Sequence, residues 1–295
     1  MANRRVLVKR RKAVRNIRKI TRTMQLIATA RFQAAYNRAV ATKPYTEKLA
    51  EMVADLSRAA GSVDHPLLHT HEGVPRSALV VLTSDRGLAG GYNANVLRAA
   101  TAHIDQQRAQ GIDPEVHMVG KKGIGVFRFL RRPLVEQITG IGDRPRFEQV
   151  EPLANALMDQ FMRGEIASVH VAYMRFLSAG TQRPAVVQLL PIAPEEEKKA
   201  GKEEMPSGRQ IEYEFSPDPR QLLDELLPAT VRARLFQAFT DAAVSEQVAR
   251  MVAMKAATDA AADMIKSLTR EYNRARQTQI TMELLDIVGG ANALS

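Results

Sequence analysis

The chain has 295 residues, a mass of 32.7 kDa and a formal charge of +10. Hydrophobic residues make up 45% and charged residues 25%, which gives the chain the means to bury a core and excludes disorder by composition. It contains no Cys, which excludes disulfides, thiolate metal sites and cysteine nucleophiles, and no apolar run reaches the ~18 residues of a transmembrane helix.

Helix breakers cut the chain into three parts. All 14 Pro lie between Pro44 and Pro228, and all but two of the 17 Gly lie between Gly61 and Gly208. The exceptions are Gly289 and Gly290, near the C-terminus. Both ends therefore read as long helices and the middle as an α/β domain.

The first part runs uninterrupted from about residue 3 to 43. Its apolar positions, Leu7, Val14, Ile17, Ile20, Met24, Ile27, Ala28, Ala34 and Ala35, recur at spacings of three, four and seven, a narrow stripe on a charged rod. Residues 1–38 hold 12 basic side chains, and the first acidic residue is Glu47. Without this segment the rest is close to neutral, so the basic character belongs to one element that faces something acidic. An Arg-rich, acid-free start also suits a mitochondrial targeting peptide. This one has no Ser up to residue 38 and merges into the helical pattern, so it reads as mature protein. Nucleic-acid phosphates would match the charge, but residues 1–31 carry no aromatic side chain for stacking.

The middle alternates strands and helices. Residues 78–83 (ALVVLT) form a continuous apolar run expected of a buried parallel strand, and a helix follows over about 93–110. Residues 115–119 and 134–139 read as strands around a short helix at 124–130. A helix at 152–163 and strands at 168–174 and 185–190 complete a small, mostly parallel sheet. Residues 194–210 are a charged loop, and 211–215 read as a short edge strand. The expected division is a helix over 1–60, an α/β domain over 61–215 and a helix over 216–295.

The last part has neither Pro nor Gly from Ala229 to Val288, and as one helix would extend roughly 90 Å, far beyond a small domain. Met251, Met254, Thr258, Ala261, Ile265, Leu268, Tyr272, Ala275, Gln279 and Met282 step by alternating threes and fours, as a coiled-coil seam does. Thr258 and Gln279 are polar seam positions of the kind that fix register. The two end helices should pair with each other, antiparallel, with the C-terminal one overhanging.

Three motifs invite a site reading. Residues 83–96 (TSDRGLAGGYNANV) sit between a strand and a helix but lack the Lys-Ser/Thr pair of a phosphate loop and the spacing of a dinucleotide fingerprint. They read as a turn needing positive φ, with Asn93 or Asn95 near the helix cap. Gly120-Lys121-Lys122-Gly123 likewise reads as a strand-end turn. His65, His69 and His71 lie in a loop with no catalytic Glu beside them and read as ordinary loop histidines, not as a metal site.

Residues 279–293 (QITMELLDIVGGANA) closely resemble the C-terminal signature of ATP synthase gamma subunits: Ile-Thr-x-Glu, an acidic residue three further on, then Gly-Ala-x-small. Residues 15–24 (RNIRKITRTM) resemble that family's first helix. Residues 84–96 resemble its central loop, with Ala89 where many members have Cys, and 245–277 its long terminal helix. The resemblance runs through the whole chain in order and is weakest over 60–75 and 135–210.

The resemblance implies an antiparallel coiled coil of both chain ends inside a hexamer of three alpha and three beta subunits. The α/β domain would lie against the epsilon subunit and the membrane ring of c subunits. The chain would be the non-catalytic rotor, without cofactor or metal, held at the cytoplasmic face of a bacterial inner membrane by the c ring. The competing expectation is a basic coiled-coil scaffold for nucleic acid. By resemblance, Arg276 and Gln277 form a catch with a beta subunit, Thr281 and Glu283 serve coupling, and Met24 meets an acidic beta-subunit loop. Tyr213 matches a position beside the c ring, though Phe215 and Ser216 depart from the Tyr-Glu of some members. The two-Cys redox switch of some chloroplast members cannot exist here.

Overall fold

The computed structural model describes residues 4–59, 65–71, 73–192 and 219–293. The expected charged loop and the strand at 211–215, with Tyr213, lie outside these residues. Contacts divide the chain into two compact units. One holds residues 1–30, 88–90 and 249–295, and the other holds 31–87 and 91–248.

Helix α1 spans Arg4–Ala59 and α5 spans Pro219–Ala293. Both run further than their breakers suggested. Pro44 lies inside α1 and Pro228 inside α5, and α5 continues through Gly289 and Gly290. A proline removes one backbone bond from a helix, and packing on both sides can hold the helix across it. Leu223, Leu227 and Val231 flank Pro228 and are all buried, as are Leu49, Val53 and Leu56 beyond Pro44.

In the first unit the two end helices pair antiparallel. The Thr258 hydroxyl donates to the Met254 carbonyl at 2.7 Å and lies 2.8 Å from the Thr21 hydroxyl, while Arg11 stacks 4.9 Å from the ring centre of Tyr272. Moving back along α1 therefore means moving forward along α5. Met254, Thr258, Ala261 and Leu268 are buried in the seam, Tyr272 and Ala275 are half-buried, and every residue from Gln279 to Gly289 is exposed. The overhang is thus real. Gln279 is exposed and hydrogen-bonds to Glu283 of its own helix, whereas Thr258 is buried and meets Thr21 across the seam. The stripe of α1 is also narrower than its sequence suggested. Leu7, Thr21 and Ala28 are buried and Val14 half-buried, one per heptad, whereas Ile17, Ile20 and Ile27 point outward at 51%, 59% and 47% exposure.

The second unit is built on a five-stranded sheet in the order β3-β2-β1-β4-β5. Its strands are β1 (Arg76–Leu82), β2 (Asp113–Val119), β3 (Glu136–Ile138), β4 (Val169–Ser178) and β5 (Thr181–Leu190). The first four are parallel, and β5 is an antiparallel edge. Pro184 sits in β5, where an edge tolerates a missing N–H. Helices α2 (Tyr92–Ala109) and α3 (Lys121–Phe129) follow β1 and β2, and α4 (Phe147–Met162) precedes β4. In β1, Ala78 through Leu82 are all buried, as a parallel strand covered on both faces requires. Ala78, Val80 and Leu82 join one core with Leu157 and Phe161 of α4, Val53 and Leu56 of α1, and Leu227 and Leu235 of α5. The end helices thus supply part of the domain's core, each fully buried Leu contributing roughly 1.5–3 kcal/mol.

A polar exception sits in this packing. Asp241 of α5 is largely buried, and burial pushes its pKa up to about 6; a hydrogen bond from Gln237, the charges of Arg175 and Lys43 and the Phe176 N–H oppose that rise. The same burial, with Asp241 nearby, pushes Tyr173 up to about 12. A carboxyl whose folded pKa lies above its unfolded value of 3.8 favours the fold while protonated. Its contribution is complete below about pH 4 and lost as pH rises through about 6. Asp241→Asn should therefore flatten the pH dependence. Between pH 4 and 7 the parent should lose about 2–3 kcal/mol relative to the variant, by the free energy of a two-unit shift. Urea unfolding of the full chain across that range measures this; parallel curves would contradict it.

Candidate functional site

Open parallel sheets bind ligands in the crevice outside the strands' carboxyl ends, where the strand order reverses. Here the reversal lies between β1 and β4, and the loops after β1, β2 and β3 gather at that end. The sequence fills the crevice with its own groups. Asp85 accepts the Lys121 N–H on one oxygen and the Gly140 N–H on the other, each at 3.0 Å. A protein carboxylate thus occupies the N–H groups at the start of α3 that a phosphate would use. The Thr83 hydroxyl donates to the Val119 carbonyl at 2.7 Å and accepts from the Gly123 N–H at 3.0 Å. A Cβ on Gly123 would meet Met118 Sδ and, at 2.6 Å, Thr83 Oγ1. Gly120 takes φ +96° directly against the Thr83 carbonyl. These glycines serve close packing at a strand end, as their turn reading implied.

The loop after β1 takes positive φ at Leu88 and Gly90. The cap of α2 is Gly91, without a side-chain bond, so neither Asn93 nor Asn95 caps it. Asn93, in the first turn, instead reaches back and accepts from the Ser84 N–H at 2.9 Å, tying the helix to the end of β1. Phe239, Ala242, Ala243 and Glu246 of α5 close the crevice, leaving a cavity of about 30 Å³ beside Leu82, Thr83 and Gly120. That is room for water and not for a nucleotide.

The histidines are placed structurally. His65 accepts the Leu67 N–H at 3.1 Å and caps a short 3-10 turn, Pro66–Leu68; burial lowers its pKa against the opposing charge of Asp224. His71 sits edge-on to Phe161 at 4.7 Å. Among the described residues no group of three or more potential ligands could hold a metal ion. The His103 and His170 rings lie 4.5 Å apart, tilted at 53°, a pair that no sequence spacing suggested. Burial, then the neighbouring His103, pushes His170 down to about 4, and burial lowers His103 as well. Both are neutral at physiological pH and poor candidates for proton transfer there.

The surface of the coiled-coil unit is different in kind. Nine basic residues of α1, from Arg4 to Arg22, are exposed, with no acidic residue among them. Val6, Val8, Ile17, Ile20, Leu26 and Ile27 are exposed beside them. On the α5 overhang, Ile280, Met282, Leu284, Leu285, Ile287 and Val288 are 43–68% exposed. Apolar exposure this continuous marks an interaction surface. Met24 is half-buried on α1, while Arg276, Gln277, Thr281 and Glu283 are exposed on α5.

A family model described as ATP synthase matches residues 3–294. The ATP synthase gamma chain of Rhodopirellula baltica is 42% identical over 294 residues, covering 100% of this chain and 99% of that one. The ATP synthase gamma chain of Leptospira biflexa is 39% identical over 295 residues, covering 100% of both. The chain belongs to the ATP synthase gamma-chain family. In fold it resembles a chain of the Euglena gracilis mitochondrial ATP synthase rotor in rotational state 1, with a TM-score of 0.64 and 16% identity over 94% of this chain and 98% of that one. It also resembles a chain of the OSCP/F1/c-ring assembly from the same organism in rotational state 3, with a TM-score of 0.68 and 17% identity over 99% and 94%.

Within this gamma-family chain, Arg276, Gln277, Thr281 and Glu283 cluster where α5 outruns α1. The Thr281 hydroxyl donates to the Gln277 carbonyl at 3.0 Å, and Glu283 accepts from Gln279 at 2.8 Å. Among the described residues neither Arg276 nor Gln277 has a side-chain partner, so both are available to another chain. The antiparallel register sets Met24 apart from this group, roughly 30 Å down the coil from Arg276.

The closed crevice gives a direct test. Gly123→Ala forces a Cβ against Thr83 and Met118 and should destabilise the fold by about 1–3 kcal/mol. Gly125→Ala, two residues on with open space around it, should be neutral or stabilising by up to about 1 kcal/mol. Urea midpoints of the two variants make the comparison; equal midpoints would refute the packing account.

Proposed function

We propose that this chain is the central-stalk rotor of an F-type ATP synthase, coupling rotation of the c ring to ATP synthesis and hydrolysis at the beta subunits. The observation that carries the reading is its relationship to gamma chains at about 40% identity along its whole length. The exposed apolar and basic shaft surface supports it, since such a surface suits a close-fitting sleeve with acidic segments. The nucleic-acid reading gains no support from any relative or neighbour.

The chain itself makes and breaks no bond. Its partners are three alpha and three beta subunits around the shaft, with the epsilon subunit and the c ring at the α/β domain. It associates peripherally with the cytoplasmic face of the bacterial inner membrane through that ring. No helix among the described residues is long and apolar enough to cross a membrane.

Coupling then works through differential contact. A shaft that touched all three beta subunits alike would shift no equilibrium. Two unequal helices, one basic and shorter, one overhanging with an apolar tip, present different faces to each beta subunit. Reversing one beta site from 1:99 to 99:1 between two states takes about 5.5 kcal/mol of differential contact energy. Several exposed apolar side chains, at roughly 1.5–3 kcal/mol each on full burial, are on that scale. Arg276 and Gln277 would catch one beta subunit, Met24 would meet an acidic beta loop, and Thr281 and Glu283 would act in coupling near the tip. Tyr213 would lie beside the c ring.

Native mass spectrometry of this chain co-expressed with the alpha and beta subunits of its own organism tests the reading. One copy per three alpha and three beta is expected. Arg276→Ala combined with Gln277→Ala should assemble as well as the parent, because exposed positions alter stability by only about 0.5 kcal/mol. That variant should nevertheless lose ATPase activity. Absence of any complex with alpha and beta subunits would overturn the proposal.

A further inference from the structure

Helix α1 enters the second unit at Arg31, and α5 leaves it at Val248. Just inside both points stands the loop joining β3 to α4, and its Asp143 reaches both helices. One carboxylate oxygen pairs with the guanidinium of Arg31 on α1. The other accepts from Gln247 Nε2 on α5 at 2.8 Å. The Asp143 carbonyl takes a further hydrogen bond, from Arg38 of α1 at 3.3 Å. The loop is itself held. Gly140 and Gly142 bend it with φ of +85° and +62°, and the Gly140 N–H is anchored on Asp85 at the end of β1.

The helices also share a neutral hydrogen bond, from the Thr42 hydroxyl to Gln237 Oε1 at 3.2 Å, and apolar packing. Ala35 and Ala39 of α1 meet Val244 of α5, with Phe32 and Phe176 against them. Apolar contacts of this sort carry no direction and resist rotation of a helix about its own axis only weakly. Hydrogen bonds are directional and weaken steeply off axis, and charge-assisted ones are about twice as strong as neutral ones. Gln247 is fully buried, so water cannot take over its bond when the helix turns.

We propose that Asp143 is a positioning residue for rotary coupling. It clamps α1 and α5 to the α/β domain together, so that torque entering through that domain reaches both helices instead of being lost as twist of one past the other. This rests on the rotor reading above.

The test uses the full membrane-bound complex with the parent chain, Asp143→Asn and Asp143→Ala. The readouts are torsional stiffness from rotational fluctuations of single molecules, protons pumped per ATP hydrolysed, and ATPase activity of the detergent-released complex without load. With both charge-assisted contacts gone, Asp143→Ala should have roughly half the parent stiffness and pump fewer protons per ATP. Its unloaded ATPase should stay within about two-fold of the parent, since a clamp outside the sites of chemistry leaves unloaded turnover alone. Asp143→Asn, which keeps an acceptor for Gln247 but loses the ion pair, should fall between. If Asp143→Ala fails to assemble, the stiffness of Asp143→Asn decides alone. Parent stiffness and coupling in the variants, or an unloaded ATPase that falls in step with stiffness, would overturn the clamp. Failure of the parent chain to assemble would instead count against the rotor reading, before any variant is made.

Discussion

Everything in this molecule depends on helices too long to be buried by the domain they flank. A helix in water draws most of its stability from an apolar face covered by something else. Where α1 and α5 lie in the coiled-coil unit, each is covered chiefly by the other, with residues 88–90 also in that unit. One α1 residue per heptad suffices: Leu7, Val14, Thr21 and Ala28 are buried or half-buried, and Thr21 meets Thr258 across the seam. The same heptad continues through Ala35, Thr42, Leu49 and Leu56 in the second unit, against another set of partners. Val6, Ile17, Ile20, Leu26 and Ile27 of the rod stay exposed. That surplus is what the shaft offers to other chains.

The α/β domain shows the complementary economy. Its sheet has the topology that places ligands at the strands' carboxyl ends, yet Asp85, Thr83 and the α5 residues around Phe239 fill that end from within. The architecture of a binding domain is used here as a mount for a helix. A polar residue of α5 in this region reinforces the point. Ser245 donates to the Met174 carbonyl at 3.0 Å. Buried hydrogen bonds define one orientation where an apolar face would accept several.

On the proposed rotor role, the chain needs asymmetry and stiffness more than a reactive group. The asymmetry lies in the charge: basic residues crowd the exposed side of α1, and the rest of the chain is nearly neutral. The stiffness lies in the continuous helix, which α5 keeps across the one backbone bond lost at Pro228 because buried leucines brace both sides of it.

The sequence by itself determined the two long end helices, their antiparallel pairing and the parallel sheet between them. Those follow from local signals: absence of breakers, a three-four repeat, and apolar runs such as that of β1. It also determined the family, because the residues around Arg276 and Glu283 form a long linear motif. Only the tertiary structure decided which apolar residues face inward. Ile17 and Ile20 share the helical period of Leu7 and Val14, and periodicity cannot tell a covered face from one awaiting a partner. Pro44, Pro152 and Pro228 misled for a related reason: each lies within a helix, since a proline weighs one lost bond while packing sums over several turns. Asp143, Asp241 and the His103–His170 pair were invisible in the sequence. Apart from Gln237 beside Asp241, their partners lie many residues away, and only the fold brings those groups within reach of one another.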